Sequence, residues 1–198
     1  PEILIYLGRS YHAIGEFSLA VAALNYFLSI KSGDWNGWFF LGRSYLAMES
    51  WNLAISCLKK SLELNPDSDT TLALLGTAYY KSKQIDLALS TFEKALYIAP
   101  EDVRLNQGYQ NSLLVKAVRT YNEGNPELAA KMFHFLIENG MNAVMLYVYQ
   151  GHSFRDLGFL QEALESYQQA IQLEPEDASL PWYEISILVS MGKKTEAE

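Results

Sequence analysis

The sequence predicts an all-α fold, built from antiparallel helix pairs stacked one on the next. Three observations carry this expectation. The segment Leu7-Gly8-Arg9-Ser10-Tyr11 returns as Leu41-Gly42-Arg43-Ser44-Tyr45 and, altered, as Leu75-Gly76-Thr77-Ala78-Tyr79, so the glycines fall 34 residues apart each time. A fixed period in this range marks a stacked-repeat architecture. Apolar residues recur at spacings of three and four between these landmarks, as amphipathic helices require. Finally, Pro66, Pro100 and Pro175 each follow such a helical stretch, and proline cannot continue an existing helix.

Taken in order, residues 1–34, 35–68 and 69–102 form three units. In each, the first helix carries a small residue (Gly8, Gly42, Gly76) where a side chain would hold two helices apart. The second helix answers with Ala20, Ala54 or Ala88, and Trp38, Leu41, Tyr45, Leu58 and Leu62 fill the spaces between. Unit one has Ser32 where the proline belongs. Residues 103–109 are an insertion, and seven residues are about two helical turns. The simplest expectation is that they lengthen the next helix, giving one long helix from about Asp102 to Tyr121, with Gly108 as a kink site. A fourth, degenerate unit follows at 110–143 through Ala117, Gly124, Ala129 and Phe133. A fifth occupies 144–177, with Gly151 and Ala163. A partial sixth, 178–198, is expected to cap the stack, with Gly192 and Ala197 at the repeat offsets.

The motifs are specific enough to name a resemblance. Trp38, Leu41, Gly42 and Tyr45 followed by Ala54, Leu58 and Pro66 resemble the tetratricopeptide repeat, with its W-x₂-L-G-x₂-Y…A-x₃-F…P pattern. Ala88, Phe92 and Pro100, and Ala163, Tyr167 and Pro175, repeat its second half. The resemblance covers nearly the whole chain. It implies a right-handed α-solenoid, a superhelix whose concave face is lined by the first helix of each pair.

Composition narrows the function. The formal net charge is -8, which opposes non-specific binding to nucleic acid or anionic lipid. No apolar run approaches the roughly 20 residues that span a bilayer, so membrane insertion is not expected. Cys57 is the single cysteine, so no intrachain disulfide forms, which fits a reducing, cytoplasmic compartment. The chain opens Pro1-Glu2-Ile3, without methionine, and reads as a fragment or a processed product. There is no phosphate loop, no His-Glu-x-x-His and no Cys-x-x-Cys. His12, His134 and His152 lie on different units without metal-ligand spacing. Ser10, Ser44 and Ser153 hold a repeated position, which argues for architecture rather than a nucleophile. The expectation is a protein that is not an enzyme and needs no metal or cofactor.

The resemblance also implies which side chains face the groove. Carried over by repeat position, these include Ile5, Arg9 and His12 from unit one, Phe39 and Arg43 from unit two, and Tyr80 from unit three. The later units add Tyr121, His152, Arg155 and Trp182. Three arginines gather there while most acids lie on second helices and in turns. The groove is therefore expected to be basic and aromatic within an acidic shell, suited to an extended partner segment carrying carboxylates and apolar anchors. Two readings stay open for Arg9 and Arg43: a partner's anion, or acids of adjacent helices. Phe39, Tyr80 and Tyr121 divide likewise between groove and inter-repeat core. Some relatives grip chaperone tails with a two-carboxylate clamp, but the clamp positions here hold Ile5, Arg9, Phe40, Thr70 and Leu74, so that clamp is absent. The leading expectation is a protein–protein interaction module that binds a peptide segment. The alternatives are a self-assembling scaffold, or the recruiting arm of a larger protein.

Overall fold

A computed structural model describes residues 2–192. Among the described residues there are eleven helices and no strands, an all-α solenoid. The chain divides into two compact units, residues 1–112 and 113–198.

In residues 1–112, three helix pairs follow one another: α1 (Glu2–Ala13) with α2 (Phe17–Ile30), α3 (Trp35–Ala47) with α4 (Trp51–Leu64), and α5 (Asp69–Lys81) with α6 (Ile85–Ile98). The first helices α3 and α5 start behind polar caps. Asp34 accepts from Asn36 N at 2.9 Å and Ser68 from Thr71 N at 3.2 Å, satisfying amides that a helix leaves without intrahelical partners. The second helices end at Leu64 and Ile98, two residues before Pro66 and Pro100. α2 ends at the same place in its own repeat, at Ile30, without a proline.

Small residues set the packing, as the repeat pattern requires. A Cβ on Gly8 would lie 2.6 Å from Leu24, and one on Gly42 would lie 2.7 Å from Leu58. The Phe92 ring wedges between Gly76 and Gly108, where added Cβ atoms would sit 2.9 and 2.5 Å away. Gly108 is thus a packing notch, and the helix that holds it, α7 (Val103–Asn122), runs on through it. α7 begins at residue 103, 34 after the start of α5 at residue 69, so it starts in register with the repeat. Its first half packs on the preceding pair through buried Leu105 and through Tyr109, which donates to Glu93 at 3.4 Å. The extra turns therefore lie inside one 20-residue helix.

In residues 113–198, the end of α7 leads to α8 (Pro126–Glu138), then α9 (Val144–Asp156) with α10 (Leu160–Leu173), and α11 (Leu180–Ser190). Ala117 and Ala129 are fully buried here, the former standing where other units have glycine. A Cβ on Gly151 would come 2.5 Å from the Tyr167 ring. α10 and α11 share a core of Ala163, Leu164, Tyr167, Ile187 and Leu188. Gly192 closes α11 with φ +77°, a left-handed conformation that glycine adopts at no steric cost. Ala197 lies outside the described residues.

Candidate functional site

The first helices of residues 1–112 build a cavity of about 340 Å³ from α1 and α3, lined by Tyr6, Arg9, Ser10, His12, Phe40 and Arg43. One repeat period creates it. Tyr6 and Phe40 are 34 residues apart, as are Arg9 and Arg43, so stacking the helices brings two aromatic–arginine pairs side by side. The Arg9 guanidinium lies 4.8 Å from the Phe40 ring centroid and 5.8 Å from that of Tyr6. These aromatic faces hold the cation in place without neutralising it. Both arginines are exposed, and neither forms an ion pair with an acid among the described residues.

His12 closes the inner side. Its Nδ1 lies 3.1 Å from Ser44 Oγ, and Ser44 donates its own proton to the Phe40 carbonyl at 2.9 Å. Burial, aided by the positive charge of Arg43, holds the imidazole below its ordinary pKa. Ser44 is fully buried and Ser10 exposed, so the repeated serine position serves two different environments.

Residues 113–198 treat their arginine differently. Arg155 Nε and Nη2 donate to Asp156 Oδ1 at 3.0 and 2.8 Å, and Tyr121 Oη donates to Asp156 Oδ2 at 2.7 Å. The charge of Arg155 is answered within its own unit. Burial and the contact with Asp156 push the Tyr121 hydroxyl up to about 12, so it stays a donor. Beside this triad, His152 sits in a ring of tyrosines. Its Nδ1 is 2.7 Å from Tyr167 Oη, and its ring centroid lies 4.9 Å from that of Tyr183 and 5.8 Å from that of Tyr149. Burial first, then Arg155, lowers its pKa.

The remaining expected groove residues scatter. Ile5 is only 9% exposed and belongs to the core with Leu24, Phe27 and Leu41, so its side chain offers a partner almost no surface. Phe39 and Tyr80 pack, partly buried, against the core of residues 54–105. Trp182 is 70% exposed. Trp38, expected in the core, packs there and donates Nε1 to the Ser32 carbonyl at 2.7 Å. Sequence reasoning missed Tyr6 as a pocket residue and the tyrosine ring around His152. A signal was present: an aromatic residue stands three positions before the groove residue in Tyr6/Arg9, Phe40/Arg43 and Tyr149/His152.

A tetratricopeptide-repeat profile matches residues 41–109, and a second TPR-repeat profile matches residues 151–182. The chain belongs to the tetratricopeptide-repeat family. No curated protein matches it. Among solved structures it resembles YrrB, described as a TPR protein with an unusual peptide-binding site: 21% identity, TM-score 0.66, covering 89% of this chain and 87% of that one. A thermophilic TPR protein of Thermus thermophilus is 18% identical at TM-score 0.51, over 95% and 98% of the two chains. The first TPR of Spaghetti, bound to the HSP90 peptide SRMEEVD, is 15% identical at TM-score 0.57, over 58% of this chain and 91% of that one. At these identities the likeness is one of fold. That fold supports a protein–protein interaction module, and proteins built of these repeats are generally non-enzymatic scaffolds.

Proposed function

We propose that this chain binds an extended segment of a partner protein, and that the cavity of Tyr6, Arg9, His12, Phe40 and Arg43 receives an acidic side chain of that segment. The observation that carries the reading is the pair of guanidiniums, Arg9 and Arg43, bordering one cavity with no ion-pair acid among the described residues. A carboxylate entering there meets two charge-assisted donors, each worth roughly 1.5–3 kcal/mol. Phe40 and Tyr6 add apolar surface for the methylene groups beside it. Two such bonds with one buried anchor sum to roughly 4.5–9 kcal/mol before ordering costs, so a micromolar complex, about 8 kcal/mol net, requires further contacts along the segment. Arg155, held by Asp156, is a weak candidate for a direct anion contact. A structural neighbour bound to a peptide and another described as having a peptide-binding site support the general mode, and the pocket's own chemistry supports the acidic preference.

Fluorescence polarisation against a library of acidic and neutral peptides tests this. Acidic peptides should bind the wild-type chain, and Arg9→Glu/Arg43→Glu should abolish that binding at an unchanged melting temperature. Equal affinity for acidic and neutral peptides would sink the reading.

A further inference from the structure

The cavity between α1 and α3 concentrates positive charge at one point. Among its lining residues are two arginines, Arg9 and Arg43, and no aspartate or glutamate. His12, the third basic group there, is held neutral at neutral pH, first by burial and then by Arg43. The cavity, about 340 Å³ in volume, is thus bordered by two positive charges, one on each guanidinium. A single carboxylate entering it answers only half of that charge. A second carboxylate of the same segment does not reach the same point. Successive side chains of an extended chain point to opposite faces, and those on one face stand about 6.6 Å apart.

The arrangement is also confined to one place in residues 1–112. α3 repeats the pattern of Tyr6 and Arg9 with Phe40 and Arg43, but α5 carries Leu74 and Thr77 at the next equivalent positions. Thr77 donates its hydroxyl to the Ala73 carbonyl at 2.8 Å. A segment with acids along its length would meet a pair of arginines once. The net charge of -8 works against such a segment as well, because a tract of like charge is repelled over its whole length. One concentrated anion in an otherwise neutral or basic segment escapes that repulsion.

We infer that the anion received between Arg9 and Arg43 is the phosphoryl group of a phosphorylated serine or threonine, an inference that rests on the segment-binding reading above. A phosphomonoester carries about -1.5 to -2 near neutral pH, on three acceptor oxygens around one phosphorus, so its charge matches the two guanidiniums. An arginine forks onto two oxygens of either a carboxylate or a phosphate, and only the phosphate then has a further oxygen for the second arginine. The rings favour a short phosphorylated side chain. The Arg9 guanidinium lies over Tyr6 and Phe40, 5.8 and 4.8 Å from their centroids. Those ring faces hold the cation and are not offered to the ring of a phosphotyrosine.

Fluorescence polarisation with the full chain tests the inference. The probes are peptide pools with random flanks, identical except for a central phosphoserine, glutamate or serine. The phosphoserine pool should bind about tenfold or more tighter than the glutamate pool, the worth of one more charge-assisted donor. Arg43→Gln leaves a single guanidinium and should erase most of that difference at an unchanged melting temperature. Equal binding of the phosphoserine and glutamate pools, or a preference that survives Arg43→Gln, overturns the inference and leaves the acidic-segment reading standing. Binding of neither pool removes both. Inorganic phosphate should displace the phosphoserine pool only at far higher concentration than an unlabelled phosphoserine peptide does. Displacement by both at equal concentration marks a site for the free anion and overturns the inference as well.

Discussion

Arg9, Arg43 and Arg155 are chemically identical, and their surroundings give them different work. Arg155 has Asp156 beside it and Tyr121 behind it, so its charge is spent within the unit. Arg9 rests near the Tyr6 and Phe40 rings, Arg43 borders the same cavity, and both keep theirs. Arg43→Ala should therefore weaken an acidic peptide by roughly 1.5–3 kcal/mol, and Arg155→Ala should change that affinity little, both measured by calorimetric titration. His12 adds a pH dependence to binding. Burial and Arg43 depress its pKa, and an incoming anion offsets the field of Arg43, so ligand binding should draw a proton onto the imidazole. Affinity for an acidic peptide should rise as pH falls from about 7 to about 6, and His12→Asn should flatten the profile. His152 acts on stability with the opposite sign. Its folded pKa lies below the ordinary 6.5, so the unfolded chain binds the proton more readily. Its contribution is present above pH 6.5 and is lost as pH falls through the lowered folded value. Thermal melts from about pH 7.5 to about pH 5 should show this loss, reduced in a His152→Gln variant. Tyr6 escaped the pattern, while Arg9, His12, Arg43, Tyr121, His152 and Arg155 were picked out by repeat position. Their partners were not, because Arg9 meets Phe40 and Tyr121 meets Asp156 only after the repeats have stacked.

Helix by helix, the glycine and alanine positions decide how closely pairs approach. A Cβ on Gly42 would face Cγ and Cδ2 of the fully buried Leu58 with the Ala54 carbonyl 3.3 Å away, and one on Gly151 would face the Tyr167 ring, which is 1% exposed and hydrogen-bonded to His152. Gly42→Ala and Gly151→Ala should each cost about 1–3 kcal/mol by overpacking, as read by urea denaturation. α7 shows what pattern reading could and could not see. Its length was readable from the seven additional residues. The role of Gly108 was not, because nothing within α7 says that the Phe92 ring arrives from the preceding helix.

For the whole molecule, stacked repeats make stability a sum of neighbouring interfaces rather than one shared core. Damage should stay local. In hydrogen exchange, Gly151→Ala should lower protection in α9, α10 and α11 and leave α3–α6 close to wild type. Uniform loss across both units would contradict a repeat-wise energy. The same modularity explains what could be read from the chain alone. The 34-residue period, the small residues at close approaches and the proline stops are local properties, written within a few turns of helix, and they determined the helix pairs and the family. Contacts between residues a repeat apart are decided only when side chains pack. Tertiary structure alone buried Ile5, gave Arg155 its acid and its tyrosine, and left Arg9 and Arg43 facing a cavity, because each outcome depends on which neighbour fills the space beside a side chain.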